Sequence, residues 1–83
     1  MTVRVTVADT WTPVVLAASP DEPVAALKLR ALGSQGIVAQ RAASYEVKLG
    51  GGVIRDETQT LAAAGVKDFS GLVLLSRHRR PVR

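Results

Sequence analysis

Residues 19–33 read SPDEPVAALKLRALG, and the two ends of this stretch decide what can be built around it. Asp21 is placed to cap free backbone amides, and Glu22 suits the positive end of a helix dipole. Pro23 falls in the first turn, where its missing N–H costs little. Gly33 supplies a left-handed stop. The pattern predicts a single helix over roughly residues 22–33. Val24, Leu27, Ala31 and Leu32 line one stripe of it, and a stripe of that width is made to cover a sheet.

Strands flank the helix on both sides. TVRVTV (2–7) alternates strictly, with Val3, Val5 and Val7 on one face and Thr2, Arg4 and Thr6 on the other. ADTWTP is a turn, and VVLAA (14–18) is a second strand with Val14, Leu16 and Ala18 inward, close enough to pair with the first as a hairpin. After the helix, SQGIVAQRAAS reads as an irregular return in which Ile37 or Val38 packs inward. SYEVKL then alternates again, with Tyr45, Val47 and Leu49 inward. The GGG at 50–52 allows a tight turn into a short strand at Val53 and Ile54. RDETQ is a polar loop, TLAAAGV one short helical turn with Thr60 as cap and Gly65 as stop, and LVLLS the last strand. Val5, Leu16, Leu27, Val47, Leu61 and Leu74 should share one core, with the first and last strands parallel and adjacent.

The fold class is therefore α+β: one helix crossing a mixed four- to five-stranded sheet, with a short second helical turn, the β-grasp arrangement. A ferredoxin-like fold needs a second full helix between its last strands, and TLAAAG is too short for one. In this order and spacing the chain resembles ubiquitin and its relatives over nearly its whole length. The features that carry the resemblance are the Met-led strand MTVRVTV, the Pro-containing entry SPDEPVAALKLRAL, and the Gly36-Ile37 step after the helix. YEVKLGG, the Thr60-Leu61 pair, AGV and LVLL complete it.

The resemblance also frames three departures. Conjugated relatives and sulfur carriers end in Gly-Gly, a flexible unbranched end that threads an activating enzyme. Here the sequence ends Arg80-Pro81-Val82-Arg83, and proline and valine oppose that use. Ubiquitin's apolar recognition patch corresponds to the outward residues Lys48, Val73 and Leu75, with a lysine at the central aliphatic position. Finally, the tail is more basic than the family's own. The resemblance thus points toward bacterial members that act without conjugation, such as YukD-like proteins of type VII secretion, or small β-grasp subunits of multicomponent oxygenases.

Charge separates the chain into two parts. The 83 residues carry 11 basic and 7 acidic side chains, a net +4. All seven acids lie within residues 1–76 and are matched there by seven basic residues, so the excess is Arg77, Arg79, Arg80 and Arg83. This predicts a ubiquitin-like domain over 1–76 and a basic, flexible tail over 77–83. Four charges without interleaved aromatics give no base readout, so the tail suits an acidic protein surface better than nucleic acid.

Covalent chemistry is poorly supplied. His78 is the only histidine and there are no cysteines, so no dyad or thiolate metal site is available. Asp56-Glu57 reads as a pair of solvated loop acids, and GGG lacks the helix and Lys-Ser/Thr of a phosphate loop. The expectation is a non-enzymatic protein, with no cofactor and no membrane insertion, in a reducing, cytoplasmic setting. It would be monomeric or weakly self-associating, and would bind protein partners through Trp11, Leu29, Lys48, Val73, Leu75 and the tail arginines. Trp11 sits in the first hairpin turn, either folded over the sheet or kept for a partner. Leu29, beside the outward Val15 or Ala17, would make a dimer or complex patch. A modifier activated at an unusual C-terminus is the alternative reading, and an electrostatic nucleic-acid binder a third.

Overall fold

The computed structural model describes residues 1–8, 11–37 and 39–76. Val38 and the segment 77–83 lie outside them, and with that segment the predicted tail and its boundary with the domain. The strands are β1 (Thr2–Val7), β2 (Thr12–Ala17), β3 (Tyr45–Leu49), β4 (Gly52–Ile54) and β5 (Gly71–Ser76). The helices are α1 (Val24–Ser34) and the single turn α2 (Leu61–Ala64), with a 3-10 helix at Ala39–Ser44. The sheet has five strands in the order β2-β1-β5-β3-β4. β1 and β5 run parallel and the other neighbours antiparallel. No helix among the described residues is long and apolar enough to cross a membrane.

Alternation sorts the strands into two faces. Val3, Val5, Val7, Tyr45, Val47, Leu72 and Leu74 are buried beneath α1, whose Val24, Leu27, Ala31 and Leu32 close over them. Leu61 and Val66 join the same core, and Leu16 and Ile37 pack at its rim, only partly buried.

The ends of α1 differ from the sequence reading, and the reasons are nonlocal. Asp21 does not cap the helix; its own amide donates to the Ser19 hydroxyl. The first free amides of α1 are taken instead by carbonyls of a distant loop: Val24 N–H donates to Gln59 O (3.0 Å) and Ala25 N–H to Glu57 O (2.9 Å). The reverse holds at α2, where Leu61 N–H donates to Glu22 O (2.8 Å) and Ala62 N–H to Pro20 O (3.0 Å). Each helix start is thus capped by the chain preceding the other, with Thr60 Oγ1 accepting from Ala63 N–H as expected. Glu22 turns from the dipole to Arg30, whose Nε and Nη2 donate to its carboxylate at 3.1 and 2.9 Å.

Gly33 is an ordinary helical residue and not the stop. Gly36, at φ +78°, takes that role. Ile37 N–H reaches back to Leu32 O and Gly36 N–H to Gly33 O. This closure needs an apolar residue just after the glycine to pack on the helix. Ile37 provides it. The same device ends α2, with Gly65 at φ +94° and the buried Val66 bonded back to Leu61 O. The return after α1 is also more regular than read, since residues 39–44 wind into the 3-10 helix.

One polar side chain lies inside the helix stripe. Lys28, four residues after Val24, is 6% exposed. Its ammonium pairs with the Glu57 carboxylate and donates to Tyr45 O at 3.1 Å. It therefore ties α1 both to the capping loop and to the start of β3.

Leu27 and Leu29 separate core from surface on the same helix, at 2% and 44% exposed. Leu27→Ala is expected to cost about 2–5 kcal/mol in urea unfolding, and Leu29→Ala less than about 0.5 kcal/mol. Equal losses would mean that α1 is rotated from this orientation.

Candidate functional site

The face of the sheet turned away from α1 collects three of the five predicted binding residues that lie among the described ones: Lys48, Val73 and Leu75. Cross-strand register sets a row across all five strands: Pro13, Thr6, Val73, Lys48 and Val53. Val73 sits at its centre on β5, with Lys48 directly opposite. Leu75 pairs with Glu46 one step further along. The outward placement of Lys48, Val73 and Leu75 read from alternation is the observed one, and all three are half-buried.

A second row holds Val15, Arg4 and Gly71. Val15 is 65% exposed. Together with Thr2, Arg4 and Phe69 it lines a shallow groove on this face. Arg4 is exposed and has no ion-pair partner among the described residues.

Trp11 does not fold back over the sheet; it is 71% exposed at the hairpin turn. Phe69 is 78% exposed, in the loop entering β5. These two bracket β1: Phe69 N–H donates to Thr2 O at its start, and Trp11 N–H to Val7 O at its end. Both also have left-handed backbones, at φ +54° and +66°, the only non-glycine residues so placed among those described. A side chain there costs about 1–2 kcal/mol relative to glycine.

Sequence reading missed Phe69 and Arg4 as site residues, and named Val15 only as a neighbour of Leu29. The available signal was an apolar ring within the polar stretch KDFSG, outside any periodic segment. Leu29 stands apart from these residues. It is exposed, but α1 covers the inner face of the sheet while Val15 and Ala17 point from the outer one. Arg77, Arg79, Arg80 and Arg83 lie outside the described residues.

The Asp56-Glu57 pair is not two idle solvated acids. Glu57 is engaged by Lys28. Asp56 Oδ1 accepts from both the hydroxyl and the amide of Thr58, the latter at 3.0 Å. This tight turn presents Glu57 to the helix. The hydroxyl bond first, and the amide second, hold the Asp56 carboxyl below the ordinary aspartate range.

No family model matches the chain, nor does any curated protein. Among solved structures it is similar to the ubiquitin-like domain of an Arabidopsis thaliana protein, at 16% identity and a TM-score of 0.79, over 100% of this chain and 83% of that one. It is also similar to Caldiarchaeum subterraneum ubiquitin, at 23% identity and a TM-score of 0.77, over 99% of this chain and 95% of that one. The chain has the ubiquitin-like β-grasp fold.

A depressed folded-state pKa means that Asp56 contributes stability above its unfolded value, and that this is lost as pH falls through the folded one. NMR titration of Asp56 should give a midpoint below that of an ordinary aspartate. Thr58→Val should raise it without fully restoring it, since the amide bond survives. An ordinary midpoint in the parent protein would show that the turn does not form.

Proposed function

We propose that the protein is a non-enzymatic binding module that associates non-covalently with a protein partner through the outer face of its sheet. It would serve as an adaptor or small subunit, the kind represented by YukD-like proteins. One observation carries this reading: Trp11 and Phe69, two of the chain's three aromatic residues, are held exposed in left-handed backbone at the two ends of β1. Stability alone favours glycine or asparagine at such positions and places an aromatic ring in the core, as it does Tyr45. Strain kept at exposed aromatic residues supports a role in contact.

The chemistry between the two rings supports the partner's character. Val15, Val73 and Leu75 offer apolar area, while Arg4 and Lys48 offer charge without an ion pair among the described residues. A partner with apolar anchors set in an acidic surface fits this face. The tail arginines would add to the attraction at low salt, because exposed charges are screened within about 8 Å at physiological ionic strength.

Trp11→Gly and Phe69→Gly separate binding from stability, since each relieves the left-handed backbone. Both variants should melt at or above the parent temperature. Proteins co-purified from native cells by the parent should be lost with either variant and with Lys48→Glu, at low and high salt alike. Deletion of residues 77–83 should weaken recovery at low salt only. Recovery of the same proteins by all three point variants would overturn the proposal.

A further inference from the structure

β2 is an edge strand, and its open side has an unusual set of free groups. Met1 and Ala18 exchange both hydrogen bonds, the terminal amine donating to Ala18 O at 2.7 Å and Ala18 N–H to Met1 O at 2.8 Å. In an antiparallel ladder such mutual pairs alternate with non-bonded ones. Thr12, Val14, Leu16 and Ala18 therefore direct their backbone groups at β1, and Pro13, Val15 and Ala17 direct theirs away from it. The opposite side of β1 agrees: Arg4 N–H bonds Ser70 O and Ala8 N–H bonds Leu74 O, so the even residues of β1 face β5.

Six backbone positions would then face outward, and two are already disposed of. Pro13 has no N–H. Ala17 O accepts from Arg30 Nη2 at 2.7 Å, and Arg30 is held there by Glu22. The N–H groups of Val15 and Ala17 and the carbonyls of Pro13 and Val15 are left, none bonded among the described residues.

This remainder is complementary to itself. Place a second copy of β2 antiparallel, with the two-fold axis at Val15, so that Val15 faces Val15 and Ala17 faces Pro13. The Val15 pair exchanges both bonds. Each Ala17 N–H finds the other copy's Pro13 carbonyl. The donor that Pro13 lacks stands opposite the Ala17 carbonyl that Arg30 already occupies. Four hydrogen bonds form across the axis, and no free donor or acceptor of the edge is left over. A shift of register by two residues sets either the Val15 N–H against the occupied Ala17 carbonyl or the Val15 carbonyl against the missing Pro13 N–H. We propose that the protein self-associates as a symmetric dimer through β2, which joins two five-stranded sheets into one of ten.

The side chains agree with this occupant. Val15 is 65% exposed on the outer face and would meet its own copy across the axis, an apolar pair in place of the lysine that commonly guards an edge. The contact is a short strand pair, well below the ~1,200 Å² of a standard stable interface, so the dimer is weak and depends on concentration.

Sedimentation from micromolar to millimolar protein should show a reversible monomer–dimer equilibrium. Val15→Pro removes the central donors without touching a bond to β1. Val15→Lys leaves the backbone intact and sets two ammonium groups face to face. Each should weaken the dimer by about tenfold or more. In the parent, amide exchange at Val15 and Ala17 should slow as concentration rises, while Val14 and Leu16 stay protected throughout. If Val15→Pro does not fold, Val15→Lys and the exchange pattern decide the matter. A monomer at every concentration would overturn the proposal. So would a dimer unaffected by Val15→Lys, or fast exchange at Val15 and Ala17 in concentrated samples.

Discussion

A single ammonium group lies where three parts of the chain meet. Lys28 projects from the buried stripe of α1, pairs with Glu57 in the loop before α2, and donates to the carbonyl of Tyr45 at the start of β3. A lysine at 6% exposure is rare unless it is paired and hydrogen-bonded. Its position dictates the rest. Glu57 must be brought under the helix, and the Asp56–Thr58 turn does this. Once there, the same loop offers the Glu57 and Gln59 carbonyls to the first amides of α1. The ion pair and the cap are two results of one placement.

That placement also lets the sheet be asymmetric. Core side chains, the helix and the capping loop all lie on the inner side of the sheet or at its ends. The outer face takes no part in holding them. Arg4, Val15, Lys48 and Val73 can therefore be chosen for contact without cost to the core, and the left-handed positions of Trp11 and Phe69 add strain that the buried side must offset. The β2 edge follows the same division. Pro13 and the Arg30 bond to Ala17 O close part of it and leave a short, self-matching remainder.

The strands, their faces and the second helical turn were legible in the sequence because alternation and turn chemistry are local. Lys48, Val73 and Leu75 point outward for that reason alone. The helix ends were not legible. Gly33 and Gly36 are equally good stops in sequence, and only the packing of Ile37 on the core selects the second. Asp21 is a sound cap by type, yet carbonyls more than thirty residues away in sequence displaced it. Lys28 interrupts an apolar stripe and could have been suspected, but its partner Glu57 is a long-range match that no local pattern encodes. Leu29 sits on the helix over the inner face and Val15 on the outer face, a separation that no single-element pattern encodes. Phe69 belongs to no periodic segment, so only its ring within the polar stretch KDFSG marked it.

A double-mutant cycle on Lys28 and Glu57, read by urea unfolding, tests the central interaction most directly. Glu57→Gln removes the counter-charge of a buried ammonium and should cost about 3 kcal/mol, the scale for breaking a buried pair. Lys28→Met keeps the apolar stem and removes the charge. Adding Glu57→Gln to that background should cost far less, which gives a coupling energy above about 1.5 kcal/mol. If the two substitutions add within about 0.5 kcal/mol, Lys28 and Glu57 act independently and the helix is not held to its capping loop by this pair.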